Sequence, residues 1–163
     1  MIIAELAVGG GMLGFGPMPG RGDPYAREMA EVLAWAPGLV LTMTTLEELA
    51  AQGAAGLPGD LLDAGVGWLH LPIADYGAPS GETLADWPAA SARARGLLAA
   101  GGKVWVHCTG GCGRSGTAVL RLMVEAGEEP AAALVRLRTI RPCAVETPEQ
   151  YQWAAAGRGG GRL

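Results

Sequence analysis

The stretch from Lys103 to Glu125 constrains this chain more than any other. Lys103-Val104-Trp105-Val106 reads as a strand, and Thr117 to Glu125 carries an apolar, helix-compatible pattern. Between them lies His107-Cys108-Thr109-Gly110-Gly111-Cys112-Gly113-Arg114-Ser115, a loop containing three glycines. Strand, tight loop and helix in that order aim several backbone N–H groups and the positive end of a helix dipole at one point, where an anion is favoured. Cys108 and Arg114 stand six positions apart, so the loop can curl until sulfur and guanidinium face the same bound oxyanion.

Each residue type has a chemical reason to be there. A Cys thiolate is a good nucleophile near neutral pH, and a helix N-terminus with a nearby Arg lowers a thiol pKa, typically to about 3.5–7.5. Arg114 offers a planar fork of donors to phosphate oxygens, which Lys cannot. The glycines let backbone approach a ligand closely, so the amides of Thr109, Gly110, Gly111, Cys112 and Gly113 join Arg114 as the substrate-binding set. The Ser115 hydroxyl can donate to the sulfur as nucleophile and later as leaving group.

His107 to Ser115 fits H-C-x-x-G-x-x-R-S/T and resembles the active-site loop of cysteine-based protein phosphatases, closest to the compact dual-specificity group of kinase-associated phosphatase type. The likeness spans roughly Val40 to Trp153 and matches the Gly-rich N-terminal stretch less well. Upstream, His70-Leu71-Pro72-Ile73-Ala74-Asp75-Tyr76-Gly77-Ala78-Pro79-Ser80 is similar to the segment carrying the general acid in that family, which implies Asp75 for the role. Glu82 and Asp86 compete for it, and Asp75 before Tyr76-Gly77 is also ordinary turn chemistry. Downstream, Arg141-Pro142-Cys143-Ala144-Val145-Glu146-Thr147-Pro148-Glu149-Gln150 resembles the segment whose glutamine positions the hydrolytic water. For Gln150 a second reading stands beside that one: Thr147-Pro148-Glu149-Gln150 fits a helix capping box. His107 is expected behind the loop, supporting it rather than transferring protons.

Cys112 departs from the family, which more usually has a small or aliphatic residue there. Either it is a tolerated small hydrophobe, or it forms a reversible disulfide with Cys108, against which the tight four-residue loop counts. Three cysteines, one of them in a reactive context, point to a reducing compartment, the cytoplasm by default, rather than to a disulfide framework. Two His and three Cys show no paired ligand spacing, so no metal and no cofactor is expected. The net charge of −4 argues against nucleic acid as a partner but not against an anionic substrate held locally. The N-terminus makes a poor signal peptide, and no apolar run reaches the roughly 18–20 residues of a membrane span.

The 163 residues, half of them hydrophobic, read as a single domain over 1–163 with 154–163 a flexible tail. Strand patterns at Gly38–Met43, Val66–Leu71 and Lys103–His107 alternate with helical ones, predicting an α/β fold with a central, mostly parallel sheet flanked by helices. Asp23 is expected to cap a first helix, Thr45-Leu46-Glu47-Glu48 to form a capping box, and Trp87-Pro88 to interrupt a helix begun at Ser80. Pro130 should open a later helix and Arg141-Pro142 close it.

What the resemblance implies is metal-free phosphomonoester hydrolysis through a phosphocysteine, acting on a phosphorylated protein or a small phosphomonoester, with phosphate or sulfate as expected occupant of the loop. Two rivals belong to other classes. One is a module that binds a phosphorylated partner without turnover; the other is a rhodanese-like sulfurtransferase, which has no use for the Asp75 segment.

Overall fold

The computed structural model describes Met1 and residues 3–160, with side chains described as far as residue 157. Its strands are β1 (Ala4–Val8), β2 (Gly11–Gly16), β3 (Leu39–Thr42), β4 (Gly67–His70) and β5 (Lys103–His107). They form one sheet in the order β1-β2-β5-β3-β4, parallel throughout except for the antiparallel β1–β2 pair. Side chains alternate across β5. Val104 and Val106 join Leu13, Phe15, Leu39 and Leu41 in one core, while Trp105 joins Val40 in a second core on the other face.

Among the described residues, seven helices cover the two faces: α1 (Tyr25–Trp35), α2 (Leu46–Ala51), α3 (Leu57–Asp63), α4 (Gly81–Ala99), α5 (Gly113–Glu125), α6 (Pro130–Ile140) and α7 (Pro148–Gly160). α1, α2 and α3 close over Trp105 through Met29, Val32, Leu49, Leu57 and Leu61. The remaining four pack on the opposite face. α5 lies innermost, between sheet, α6 and α7, and is buried almost all round rather than along one stripe.

The register sets where the site must be. Gly16 pairs with His107 and His107 with Thr42, which pairs with His70, so four parallel strands end level. The loops leaving them, including those of Cys108 and Asp75, therefore share one rim, the edge where open α/β sheets bind ligands.

Several expectations need correction. The β1–β2 hairpin falls in the N-terminal stretch that the resemblance matched poorly; Gly9 and Gly10, at φ 60° and 100°, make its two-residue turn. Asp23 does not cap α1, whose cap position is Pro24 with no side-chain bond. Instead the buried carboxylate of Glu28 takes the amides of Gly20, at 2.7 Å, and Gly22, at 3.4 Å, tying the preceding loop to the helix. Pro88 does not interrupt α4: Trp87 is anchored there by donating to Glu125 and by packing edge-on to Trp153. Nor does a tail begin at residue 154. Ala154 is fully buried inside α7, which runs to Gly160; the expected tail's last residues, 161–163, lie outside the described residues. The Thr45–Glu48 capping box forms as expected, and so does the helix opened by Pro130.

Candidate active site

β5 delivers His107 and Cys108 to the rim, and α5 begins again at Gly113, so residues 108–112 must turn sharply over the start of the helix. Gly111 makes the turn at φ 73°. A Cβ there would collide with the backbone of Gly16 and Pro17, because the loop leans directly on the end of β2. Met18 N–H donates to Thr109 O at 3.1 Å and fastens the two segments together.

The sulfur lies in the floor of this turn. Cys108 is 3% exposed and unbridged; its Sγ accepts the Gly111 N–H at 3.2 Å and lies 3.3 Å from Ser115 Oγ. With sulfur as the anion, the Ser115 O–H is the donor of that pair. A cavity of about 270 Å3 opens above it, lined by Cys108, Thr109, Gly110, Cys112, Gly113 and Arg114, with Asp75, Tyr76, Arg21 and Glu146 at its walls. The structure brings Cys108, Thr109, Gly110, Cys112, Gly113, Arg114 and Asp75 together around one concavity, whereas Gly111, expected in the substrate-binding set, does not line it and gives its amide to the sulfur.

Arg114 is held differently from the sequence expectation. Its Nη1 and Nη2 meet the two carboxylate oxygens of Glu48 at 2.9 Å each, and Nη1 also donates to Ile73 O at 3.0 Å. The terminal fork is thus used on protein, its last hydrogen, on Nη2, going to Thr109 Oγ1 at 3.3 Å, and the edge left toward a substrate is Nε–H. Burial alone would push the Glu48 carboxyl up, but the Arg114 guanidinium, the Thr45 amide and the Thr109 hydroxyl hold it down at about 2. Burial likewise opposes the Arg114 charge, and Glu48 overrides it, raising Arg114 above its ordinary value. Glu48 is a functional residue that the sequence reading missed. Its capping role accounted for it fully at that level, yet the same carboxylate does both jobs.

Asp75 stands at the other wall, its side chain 62% exposed and its Oδ1 3.7 Å from Arg114 Nε. Tyr76, at φ 61°, turns the chain directly after it, and Tyr76 N–H donates to Asp75 Oδ1 at 3.0 Å. Neither Glu82 nor Asp86 lines the cavity; Asp86 faces a separate surface groove with Leu69, His70 and Arg93. Glu146 does line it, against Gly113, and is a second carboxyl that the sequence reading did not single out.

His107 is completely buried behind the sulfur. Trp68 Nε1 can only donate, and it does so to Thr42 Oγ1 at 2.7 Å. The Thr42 hydroxyl hydrogen is then left for His107 Nε2 at 2.8 Å, and Nδ1–H for Cys108 O at 3.3 Å. Burial pushes this imidazole down to about 4, so it is neutral at ordinary pH, and its ring hydrogen-bonds the loop backbone at Cys108 O.

Gln150 is fully buried and does not line the cavity. Its Oε1 accepts from Glu146 N–H at 2.8 Å and Thr147 N–H at 3.2 Å, Thr147 Oγ1 accepts the Gln150 N–H at 3.2 Å, and Nε2 donates to Gly77 O at 3.0 Å. The capping box is the arrangement present, and it occupies the carboxamide oxygen that a water would need. Cys112 is not paired with Cys108. It is bridged to Cys143, which corrects both readings given to it and the expectation of a chain without disulfides.

A family model described as "Tc-R-P: Polymorphic toxin system, DSP-PTPase phosphatase" matches residues 26–128. No curated protein sequence matches the chain. Among solved structures, Tk-PTP in its active form is 30% identical with a TM-score of 0.75, each chain covered in full. Kinase associated phosphatase, with its catalytic-site cysteine substituted by serine, superposes with a TM-score of 0.86 at 22% identity, over 99% of this chain and 96% of that one. PTPMT1 is 25% identical with a TM-score of 0.72, over 91% of this chain and 90% of that one.

Proposed function

Since this chain belongs to the DSP-PTPase phosphatases of polymorphic toxin systems, and is a cysteine-dependent phosphatase, we propose how its own residues divide the reaction. The observation that carries the division is one cavity holding the Cys108 sulfur on its floor, Arg114 beside it and Asp75 on its wall. Cys108 attacks phosphorus in line with the ester oxygen. Loop amides and the free edge of Arg114 stabilise the equatorial oxygens as charge shifts onto them. Asp75 gives its proton to the departing oxygen, leaving a phosphocysteine and a carboxylate. That carboxylate then takes a proton from attacking water; the phosphorus–sulfur bond breaks, and the Ser115 hydroxyl receives the thiolate as a hydrogen-bond acceptor. Glu48 holds Arg114 in plane, and Gln150 acts through the backbone near the acid rather than on the water.

For substrate we propose a phosphorylated protein side chain. Polyanionic lipid headgroups are less suited to a cavity walled by two carboxylates, Asp75 and Glu146, against Arg21 and Arg114. PTPMT1 has been crystallised with PI(5)P, so the phosphoinositide is the reference competitor to assay against phosphopeptides. Among the described residues no helix is long and apolar enough to cross a membrane. A cytoplasmic setting belongs to the same proposal; the free Cys108 thiol favours it and the Cys112–Cys143 bridge counts against it. Cell fractionation tests it, and a wholly extracellular pool would overturn it.

The decisive experiment is rapid quenching during turnover of p-nitrophenyl phosphate, followed by mass spectrometry. A phosphoryl adduct on Cys108 is expected, and Cys108→Ser should lose turnover by on the order of 10^4-fold while still binding inorganic phosphate. Full activity in Cys108→Ser would sink the scheme.

A further inference from the structure

Cys112 belongs to the phosphate loop and lines the cavity, whereas Cys143 is an exposed residue of the connector between α6 and α7. The two are joined across 31 residues of sequence, with Cα atoms 5.2 Å apart. What the connector touches gives this bridge its meaning. At its start, Arg141 donates to Gly111 O at 2.5 Å and to Gly110 O at 3.0 Å, both in the phosphate loop. In its middle, Val145 N–H donates to Cys112 O at 3.3 Å, while Arg138 holds Ala144 O and Val145 O at 2.9 and 2.7 Å. At its end, Thr147 Oγ1 donates to Tyr76 O at 3.2 Å, and just beyond it, in the first turn of α7, Gln150 Nε2 donates to Gly77 O at 3.0 Å; Tyr76 and Gly77 directly follow Asp75.

One seven-residue connector, 141–147, thus reaches both catalytic loops, with the bridge as its covalent tie. We propose that Cys112 and Cys143 are positioning residues: their disulfide fixes the connector, and through it sets the acid loop of Asp75 against the phosphate loop. The inference rests on the phosphatase reading of the same site. Sulfur and guanidinium have supports of their own, in Ser115, the Gly111 amide and Glu48. Among the described residues the turn after Asp75 is held by its own short bonds, by Thr147 of the connector and by Gln150 at the start of α7, with Arg114 Nε 3.7 Å from the carboxylate, and each single hydrogen bond is individually weak. Loss of the bridge should therefore impair proton delivery more than nucleophilic attack.

The test uses the full chain and two esters that differ in how much they need an acid: p-nitrophenyl phosphate, with a good leaving group, and phenyl phosphate, with a poor one. Thiol counting of the unreduced, denatured protein should find one free thiol, that of Cys108. In Cys143→Ser, assayed with dithiothreitol so that Cys108 and Cys112 stay reduced, kcat for phenyl phosphate should fall about tenfold and for p-nitrophenyl phosphate less than about threefold, with KM little changed. In an Asp75→Asn background, adding Cys143→Ser should change kcat for the two esters by the same small factor, because the acid that the bridge positions is already gone. If Cys143→Ser does not fold, reduction of the wild type gives the same comparison. There each dithiol closes to its cyclic disulfide while Cys112 and Cys143 take up its two hydrogens, and circular dichroism checks that the fold survives. Equal loss on both esters, no loss on either, or three free thiols in the unreduced protein would each overturn the proposal. Absence of wild-type turnover on both esters would instead bring down the phosphatase reading itself.

Discussion

The loop that holds the nucleophile and the loop that holds the acid are built on opposite plans. Cys108, Arg114 and Ser115 are each 3% exposed or less, closed in by β5, α5 and the end of β2. Asp75 sits with 62% of its side chain in solvent, in a turn that other segments hold at its flanks, its carboxylate 3.7 Å from Arg114 Nε. The difference follows from what each loop handles. Charge developing on phosphoryl oxygens is stabilised by dipoles fixed beforehand, so that half gains from rigidity. A proton must be exchanged with leaving group and water, so that half needs access.

Removing the acid should separate the halves most clearly. Asp75→Asn is expected to lower kcat for phenyl phosphate by on the order of 10^2-fold and for p-nitrophenyl phosphate only a fewfold, because the better leaving group departs without a proton. A parallel experiment with Glu146→Gln decides between the two carboxyls in the cavity. If Glu146→Gln shows the leaving-group dependence and Asp75→Asn does not, the acid has been assigned to the wrong wall.

The rigid half has an ionic support that can be loosened without touching the sulfur. Glu48→Gln removes one oxygen of the pair that orients Arg114, and kcat/KM should fall roughly ten- to a hundredfold for both esters alike. A loss confined to the poor leaving group would mean that Glu48 serves the acid loop instead, through the Arg114 bond to Ile73 O.

The smallest effect concerns stability and reaches two supports of the rigid half at different pH. Burial holds His107 at about 4 instead of 6.5, so the unfolded chain binds a proton that the folded chain refuses. Stability is fully present above pH 6.5 and declines as pH falls toward 4, by about 3 kcal/mol if the whole shift is expressed. A second decline follows between 4.5 and about 2, as the Glu48 carboxylate that pairs with Arg114 is protonated. Urea midpoints measured across pH 4–7 check the first window. A flat profile there would mean that His107 is charged in the folded protein, with a hydrogen-bond scheme other than the Trp68–Thr42–His107 relay.

The rigid half was also the more legible in sequence. Strand, glycine loop and helix follow one another without a break from Lys103 to Glu125, so local pattern and tertiary geometry coincide, and the placement of Cys108 and Arg114 could be read directly. Glu48 was hidden because a capping box explains it locally, and nothing in the spacing shows that Arg114 lies across the fold from it. Gln150 was ambiguous for the same reason, since one residue pattern serves a helix start and a water site. The Cys112–Cys143 bridge joins positions 31 apart that meet only because α5 and α6 pack together. Pro88 and Ala154 show tertiary packing overriding local cues, and Gly9-Gly10 shows the reverse, a hairpin signal present in the sequence and not used.

The contact between Gly111 and the end of β2 has a consequence for anyone altering this chain. Residues 11–18 precede the reactive sulfur by some ninety positions, yet their backbone is the anvil on which its loop is shaped. A mutational library restricted to residues near the motif in sequence would omit half of that mould. Conversely, randomising the amino-terminal hairpin amounts to remodelling the reaction centre, even though no side chain there takes part in the chemistry.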